Sequence, residues 1–85
     1  MFNIFLGSKS EKFLKKTEKE IRMRVWEKLD ELKINPFPSE VVRVVGKKGK
    51  AFRVRVGAYR IQYYVLQNAK EIIVFDIDKR ERAYD

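Results

Sequence analysis

The sequence predicts an α+β fold: two N-terminal helices packed on one face of a small, mainly antiparallel twisted sheet, in the order β-α-α-β-β-β-β, with a short C-terminal turn or helix. Three observations predict it. Residues 51–65 alternate apolar and polar on both sides of Gly57-Ala58, which marks two half-buried strands joined by a tight hairpin. Ile21, Val25, Leu29 and Leu32 recur at helical spacing, so one helix turns an apolar stripe to a core. Residues 71–77 carry apolar side chains on both alternating sets, the pattern of an interior strand partly covered on each side.

Taken in order, residues 2–6 read as a short first strand ending at Gly7. Ser8-Lys9-Ser10-Glu11 has the form of a capping box, in which a serine oxygen accepts a backbone N–H and the glutamate reaches back. A short helix is expected from Lys9 to Lys16, with Phe13 and Leu14 as its apolar contacts. Thr17-Glu18-Lys19-Glu20 repeats the box and divides what would otherwise be one long helix. The second helix is expected over 18–33, with Trp26 beside the stripe and packed against the sheet. Asn35-Pro36-Phe37-Pro38 stops it, because each proline biases its predecessor away from helix. Residues 41–45 form a short strand, and Gly46-Lys47-Lys48-Gly49-Lys50 a loop that lacks the phosphate-binding G-x-x-x-x-G-K-[ST] pattern. Gln67-Asn68-Ala69-Lys70 is a polar turn before the last strand. In that strand Ile72 and Val74 are expected on one side together with Asp76 and Asp78, and Ile73, Phe75 and Ile77 on the other. Pairing of the two aspartates with neighbouring arginines is a simpler reading than a metal site, since no third ligand stands nearby in sequence.

At 85 residues the chain reads as one domain, residues 1–85, with a modest core, since domains of this size bury only about 60–65% of the surface their unfolded chains expose. Twenty Lys+Arg against twelve Asp+Glu leave a net charge of +8, which points to a polyanionic partner, nucleic acid first and a membrane surface second. No apolar run is long enough to span a bilayer, and the start does not have the form of a signal peptide. The absence of cysteine excludes disulfides and thiol catalysis and fits a cytosolic setting. The absence of histidine removes the usual general base and the commonest metal ligand.

A type II′ loop at Gly57-Ala58 sets the register of the hairpin: Val56 opposite Tyr59, Arg55 opposite Arg60, Val54 opposite Ile61, Arg53 opposite Gln62 and Phe52 opposite Tyr63. One face is then apolar and the other a guanidinium cluster. Like charges directly opposed destabilise a sheet, so fold stability gives no reason for Arg55 against Arg60. A phosphate would, because guanidinium forks bind phosphate oxygens bidentately. A solvated basic face with acidic side chains pairing the arginines is the alternative. Lys47, Lys48 and Lys50 likewise read either as an ordinary hairpin loop or as a phosphate-contact loop feeding that face. Arg80 and Tyr84 are four apart, so a final helical turn would put them on one face.

The element order resembles the RelE/ParE toxin superfamily, as do the proline-marked end of the second helix at 35–38, the strand–glycine turn–Tyr-Arg run at 52–63, and Arg80-Glu81-Arg82-Ala83-Tyr84 at the terminus. The resemblance covers essentially the whole chain and is closest to the RelE-like mRNA interferase branch. It implies a toxin of a type II toxin–antitoxin system: a ribosome-dependent endoribonuclease that cuts mRNA in the A site without a metal or other cofactor, the 2′-hydroxyl attacking the adjacent phosphate. On the matching positions it implies that Arg53, Arg55 and Arg60 hold the scissile phosphate, that Arg80 stands near the leaving 5′-oxygen, and that Tyr84 orients a nucleotide or helps deprotonate the hydroxyl. Lys47, Lys48, Lys50 and Arg82 are the further expected RNA contacts. The implied partners are an acidic, RelB-like antitoxin, the ribosome and mRNA, with no membrane. Some members carry lysines at the positions of Arg53 and Arg55 and many a histidine at that of Lys79, so proton transfer is unassigned. Two further readings from other classes are a ParE-like gyrase inhibitor and an RNA- or ribosome-binding domain without the chemistry.

Overall fold

The computed structural model describes residues 1–44 and 50–79. Its elements follow the expected order: β1 (Asn3–Leu6), α1 (Ser8–Lys16), α2 (Lys19–Ile34), β2 (Val42–Arg43), β3 (Ala51–Val56), β4 (Tyr59–Leu66) and β5 (Glu71–Lys79). The five strands form one sheet in the order β1-β5-β4-β3-β2. All neighbouring pairs are antiparallel except β1 and β5, which run parallel with Asn3 opposite Glu71 and Leu6 opposite Val74. Local sequence carries no signal for that pairing: the first strand joins the last, which becomes interior. The proposed C-terminal turn, and with it Arg80, Arg82 and Tyr84, lies outside the described residues, as do Lys47 and Lys48.

The core lies between the helices and one face of the sheet. Leu14 of α1 and Val25, Leu29 and Leu32 of α2 meet Val54, Val56, Ile61, Tyr63, Val65, Ile72, Val74 and Ile77 of the sheet. Each fully buried aliphatic side chain contributes roughly 1.5–3 kcal/mol relative to exposure. The α2 stripe is the one read from the sequence, but Trp26 is 37% exposed and stands beside Met1, Phe2, Ile4, Phe5 and Lys33. It therefore flanks the edge strand β1 rather than packing into the sheet.

Neither expected capping box forms. Gly7 is the N-cap of α1, with no side-chain cap, and Ser8 is already inside the helix. Glu18, not Thr17, is the N-cap of α2, again without a side-chain cap, and Thr17 ends α1. Tertiary contacts do this work instead. The buried Ser10 hydroxyl donates to the Val74 carbonyl at 2.9 Å, and the Gly7 amide to the same oxygen at 2.8 Å, which fastens the start of α1 to β5. At the junction of the helices Arg22 donates through Nε to the Leu14 carbonyl at 2.8 Å and through Nη2 to the Thr17 carbonyl at 3.0 Å. Those carbonyls belong to the end of α1, where orphaned acceptors attract a cation.

The proline segment does more than stop α2. The Asn35 side chain accepts from the Phe37 amide at 3.0 Å, a local turn that asparagine favours. The Pro36 carbonyl accepts from the buried Tyr63 hydroxyl at 2.7 Å. Among the described residues of the strand expected after it, Val42 and Arg43 pair with β3, and the Val44 amide donates to the Ala51 carbonyl at 2.9 Å.

The hairpin has the predicted register at every pair, from Val56–Tyr59 through Arg55–Arg60 to Phe52–Tyr63. Gly57 has φ of 60°, and Ala58 is not among the positive-φ residues, which is the sign pattern of a type II′ turn. On the other side of β4 the expectation for β5 fails at one point. Gln62 faces Asp76 but Tyr63 faces Val74, so Phe75 is an extra residue, a β-bulge. An inserted residue reverses the alternation of everything beyond it. Ile77 therefore joins Ile72 and Val74 in the core opposite Ile61, and Asp76 and Asp78 stand opposite Gln62 and Arg60, on the face away from the helices. This corrects the expected placement of Ile77 and of both aspartates.

Candidate functional site

The bulge assembles a polar face. Across β5, β4 and β3 two rows run side by side: Asp78, Arg60 and Arg55 in one, Asp76, Gln62 and Arg53 in the other. Successive rows are two residues apart along each strand, so all six side chains rise on the same side. The described residues of this site thus come from three strands whose register is pinned by the Gly57 turn, the core behind them and the bulge.

Arg60 is 8% exposed and is held by Asp78 through a fork: Nε donates to Oδ1 at 3.0 Å and Nη2 to Oδ2 at 2.8 Å. The carboxylate explains how Arg60 is tolerated opposite Arg55, because its charge is compensated on the β5 side. Among the described residues Arg53 and Arg55 have no carboxylate partner; Arg55 is exposed and Arg53 half-buried. In the second row Gln62 Nε2 donates to Asp76 Oδ2 at 3.5 Å, and Lys9 Nζ of α1 stands 3.6 Å from that oxygen. Asp76 Oδ1 is buried without a hydrogen-bond partner. Tyr64 and Phe75, 4.6 Å apart between ring centroids, bound the rows with an aromatic pair.

Of the site residues expected from sequence, the structure brings together Arg53, Arg55 and Arg60. Lys50 is elsewhere: it lines a groove of about 380 Å³ with Phe37, Arg43, Phe52, Val65, Gln67 and Asn68, among side chains of the helix-covered face. Lys47, Lys48, Arg80, Arg82 and Tyr84 fall outside the described residues. Sequence reasoning missed the approach of Arg24 to the hairpin turn, where its Nη2 stands 3.0 Å from where a Cβ on Gly57 would lie. It also missed the carboxylate row, whose signal, an aspartate every second residue at 76 and 78, was visible but set on the wrong face.

Three titratable groups outside the polar face are perturbed, Tyr63, Lys28 and Glu40. Burial pushes the Tyr63 phenol well above its ordinary range, so it stays a proton donor to Pro36. Glu31, then Glu40, hold the Lys28 ammonium above its usual value through contacts of 3.0 and 3.1 Å. Among the described residues no group of three or more acidic, histidine or cysteine side chains is placed to hold a metal ion. Among the same residues no helix is long and apolar enough to cross a membrane.

The fold and site together define a small basic α+β protein that presents Arg53, Arg55 and Arg60 on one sheet face, an arrangement suited to holding a phosphodiester. Comparison with known proteins places it further. The family model for the ParE toxin of type II toxin–antitoxin systems matches residues 7–84. A curated protein of Methanocaldococcus jannaschii named "Putative toxin RelE1" is 35% identical over 85 residues, 98% of this chain and 94% of that protein. The RelE–RelB complex from Pyrococcus horikoshii contains a chain that superposes with a TM-score of 0.83 at 28% identity, covering 96% of this chain and 98% of that one. The isolated E. coli RelE toxin superposes with a TM-score of 0.82 over 98% of this chain and 88% of that one, at 19% identity, a likeness of fold. The chain belongs to the RelE/ParE superfamily of toxins of type II toxin–antitoxin systems.

Proposed function

We propose that this toxin is a ribosome-dependent endoribonuclease that inhibits translation by cutting mRNA in the A site. The observation that carries the reading is the pair Arg53 and Arg55, side by side on β3 without carboxylate partners among the described residues, next to the fixed charge of Arg60. Guanidiniums preorganised on a strand stabilise the charge that grows on a phosphate as a neighbouring 2′-hydroxyl attacks it. The products are a 2′,3′-cyclic phosphate and a 5′-hydroxyl. Arg80 stands by the leaving 5′-oxygen, and Tyr84 orients a nucleotide or assists deprotonation of the attacking hydroxyl. Lys47, Lys48 and Arg82 add contacts to the RNA backbone. The chemistry needs neither metal nor cofactor, and its setting is the cytoplasm, where translating ribosomes are.

The toxin is held inactive by a cognate antitoxin. Support comes from the relatives of known structure, which include RelE–RelB complexes from Pyrococcus horikoshii, E. coli and Mycobacterium tuberculosis. The net charge of +8 favours an acidic toxin-binding segment in that partner.

Mapping of mRNA 5′ ends after induced expression tests the reading. Cuts within codons of translated messages are expected, and Arg80→Ala combined with Tyr84→Ala abolishes them. Undiminished cutting by the double variant refutes the site. The family model that matches is the ParE one, which favours a second reading, inhibition of gyrase. Loss of supercoiling in vitro with translated messages intact would establish that instead.

A further inference from the structure

The fork between Arg60 and Asp78 divides the three arginines into two kinds. Arg60 offers Nε and Nη2 to a carboxylate, in a site that leaves it 8% exposed. Arg55, directly opposite on β3, is exposed, and Arg53 lies one row along the same strand. A phosphate approaching this face would have to expel Asp78 to take the Nε/Nη2 edge of Arg60. Asp78 already fills that edge with two charge-assisted hydrogen bonds in fork geometry, so a phosphate there would only exchange one anion for another at the cost of a fork already made. Arg53 and Arg55 impose no such cost.

We propose that Asp78 is a positioning residue of the phosphate site: it fixes the Arg60 guanidinium across β4 and β5, while Arg53 and Arg55 make the direct phosphate contacts. The inference rests on the ribonuclease reading and deepens it. The bulge at Phe75 is what makes it possible, since without the extra residue Asp78 would face the helices. The pair also sets the charge of the face. Arg60 and Asp78 sum to zero, so the formal charge that draws in RNA along the first row is that of Arg55. A guanidinium locked in place adds orientation without reorganising as the transition state forms.

The experiment combines side-chain NMR with kinetics on the full chain. In ¹⁵N-labelled protein, with the Arg60 Nε–H resonance assigned by its loss in Arg60→Lys, a single-stranded hexaribonucleotide is titrated in. The expected result is an Arg60 Nε–H that exchanges slowly with water and holds its shift, while the Arg53 and Arg55 resonances move. Asp78→Asn releases the Arg60 proton to fast exchange. On programmed ribosomes its kcat falls roughly 10–100-fold, the scale of loss expected from a small misplacement at a reacting centre, with KM nearly unchanged. Asp78→Glu, which keeps the charge one methylene further out, restores slow exchange and part of kcat, and guards against a folding defect in the asparagine variant. An Arg60 proton that exchanges as fast as that of Arg55, or an Arg60 resonance that shifts with RNA, overturns the proposal. So does an Asp78→Asn variant with wild-type kcat. If the unmodified chain neither binds the oligonucleotide nor cuts mRNA, the ribonuclease reading fails and takes with it any role of Asp78 in that site; a slowly exchanging Arg60 would then mark a fold contact alone.

Discussion

Arg55 and Arg60 meet across one hairpin, yet they sit in different electrostatic surroundings. Asp78 compensates Arg60, whereas Arg55 faces solvent. A charge that is not needed to balance a neighbour is available to a ligand, so Arg53→Gln and Arg55→Gln should each lower cleavage on programmed ribosomes with little loss of stability, read as cut-site yield against melting temperature. Surface substitutions usually stay within about ±0.5 kcal/mol, which applies to the exposed Arg55 before the half-buried Arg53. Tyr63 is the opposite case, a polar group the fold cannot spare. Its hydroxyl reaches Pro36 from a fully buried ring. Because burial raises the phenol above its unfolded value, its contribution is complete below the unfolded pKa of about 10 and is lost as pH rises through the folded value. Denaturant unfolding should therefore show stability falling at alkaline pH. Tyr63→Phe should flatten that fall and cost about 1 kcal/mol at neutral pH, the net worth of a typical hydrogen bond. An unaltered alkaline profile in the variant would sink the assignment.

At the scale of elements, the hairpin and the bulge set the site. Gly57 holds a φ of 60°, a region that penalises any Cβ. Gly57→Ala should destabilise the protein by about 1–2 kcal/mol in a denaturant melt, mostly from backbone strain. The neighbouring Arg24 Nη2, 3.0 Å from the new methyl, is the far end of a flexible side chain and can move aside. The register of this hairpin was legible in the sequence because alternation and turn type agree on one pairing. The β5 bulge was not. Residues 72–75 are apolar without a break, so no polar–apolar alternation marks where the register shifts, and it is the core that takes Ile77 opposite Ile61 and leaves Phe75 as the extra residue. The helix caps differ for a related reason: Gly7 and Glu18 take the N-cap positions, and the helix ends are tied by tertiary contacts, Ser10 to the Val74 carbonyl and Arg22 to the carbonyls of Leu14 and Thr17.

For the whole molecule, the excess of eight positive charges acts at long range. Ribosome or RNA binding should weaken steeply with salt, and each phosphate-contacting arginine removed should reduce the slope of log K against log salt by about 0.7 for single-stranded RNA. On that measure Arg53→Gln and Arg55→Gln should lower the slope. A slope unchanged in both would show that RNA docks on another surface, such as the groove of Arg43 and Lys50.

The sequence by itself determined the element order, the α2 stripe and the hairpin pairing, because each is a matter of local periodicity or turn chemistry. It also determined that Arg53, Arg55 and Arg60 share a face. The tertiary structure decided which of those arginines are compensated. That depended on the parallel β1–β5 pairing that makes β5 interior, and on one extra residue in β5 that turns Asp78 toward Arg60. Both are long-range outcomes of filling a single core, and no local pattern encodes them.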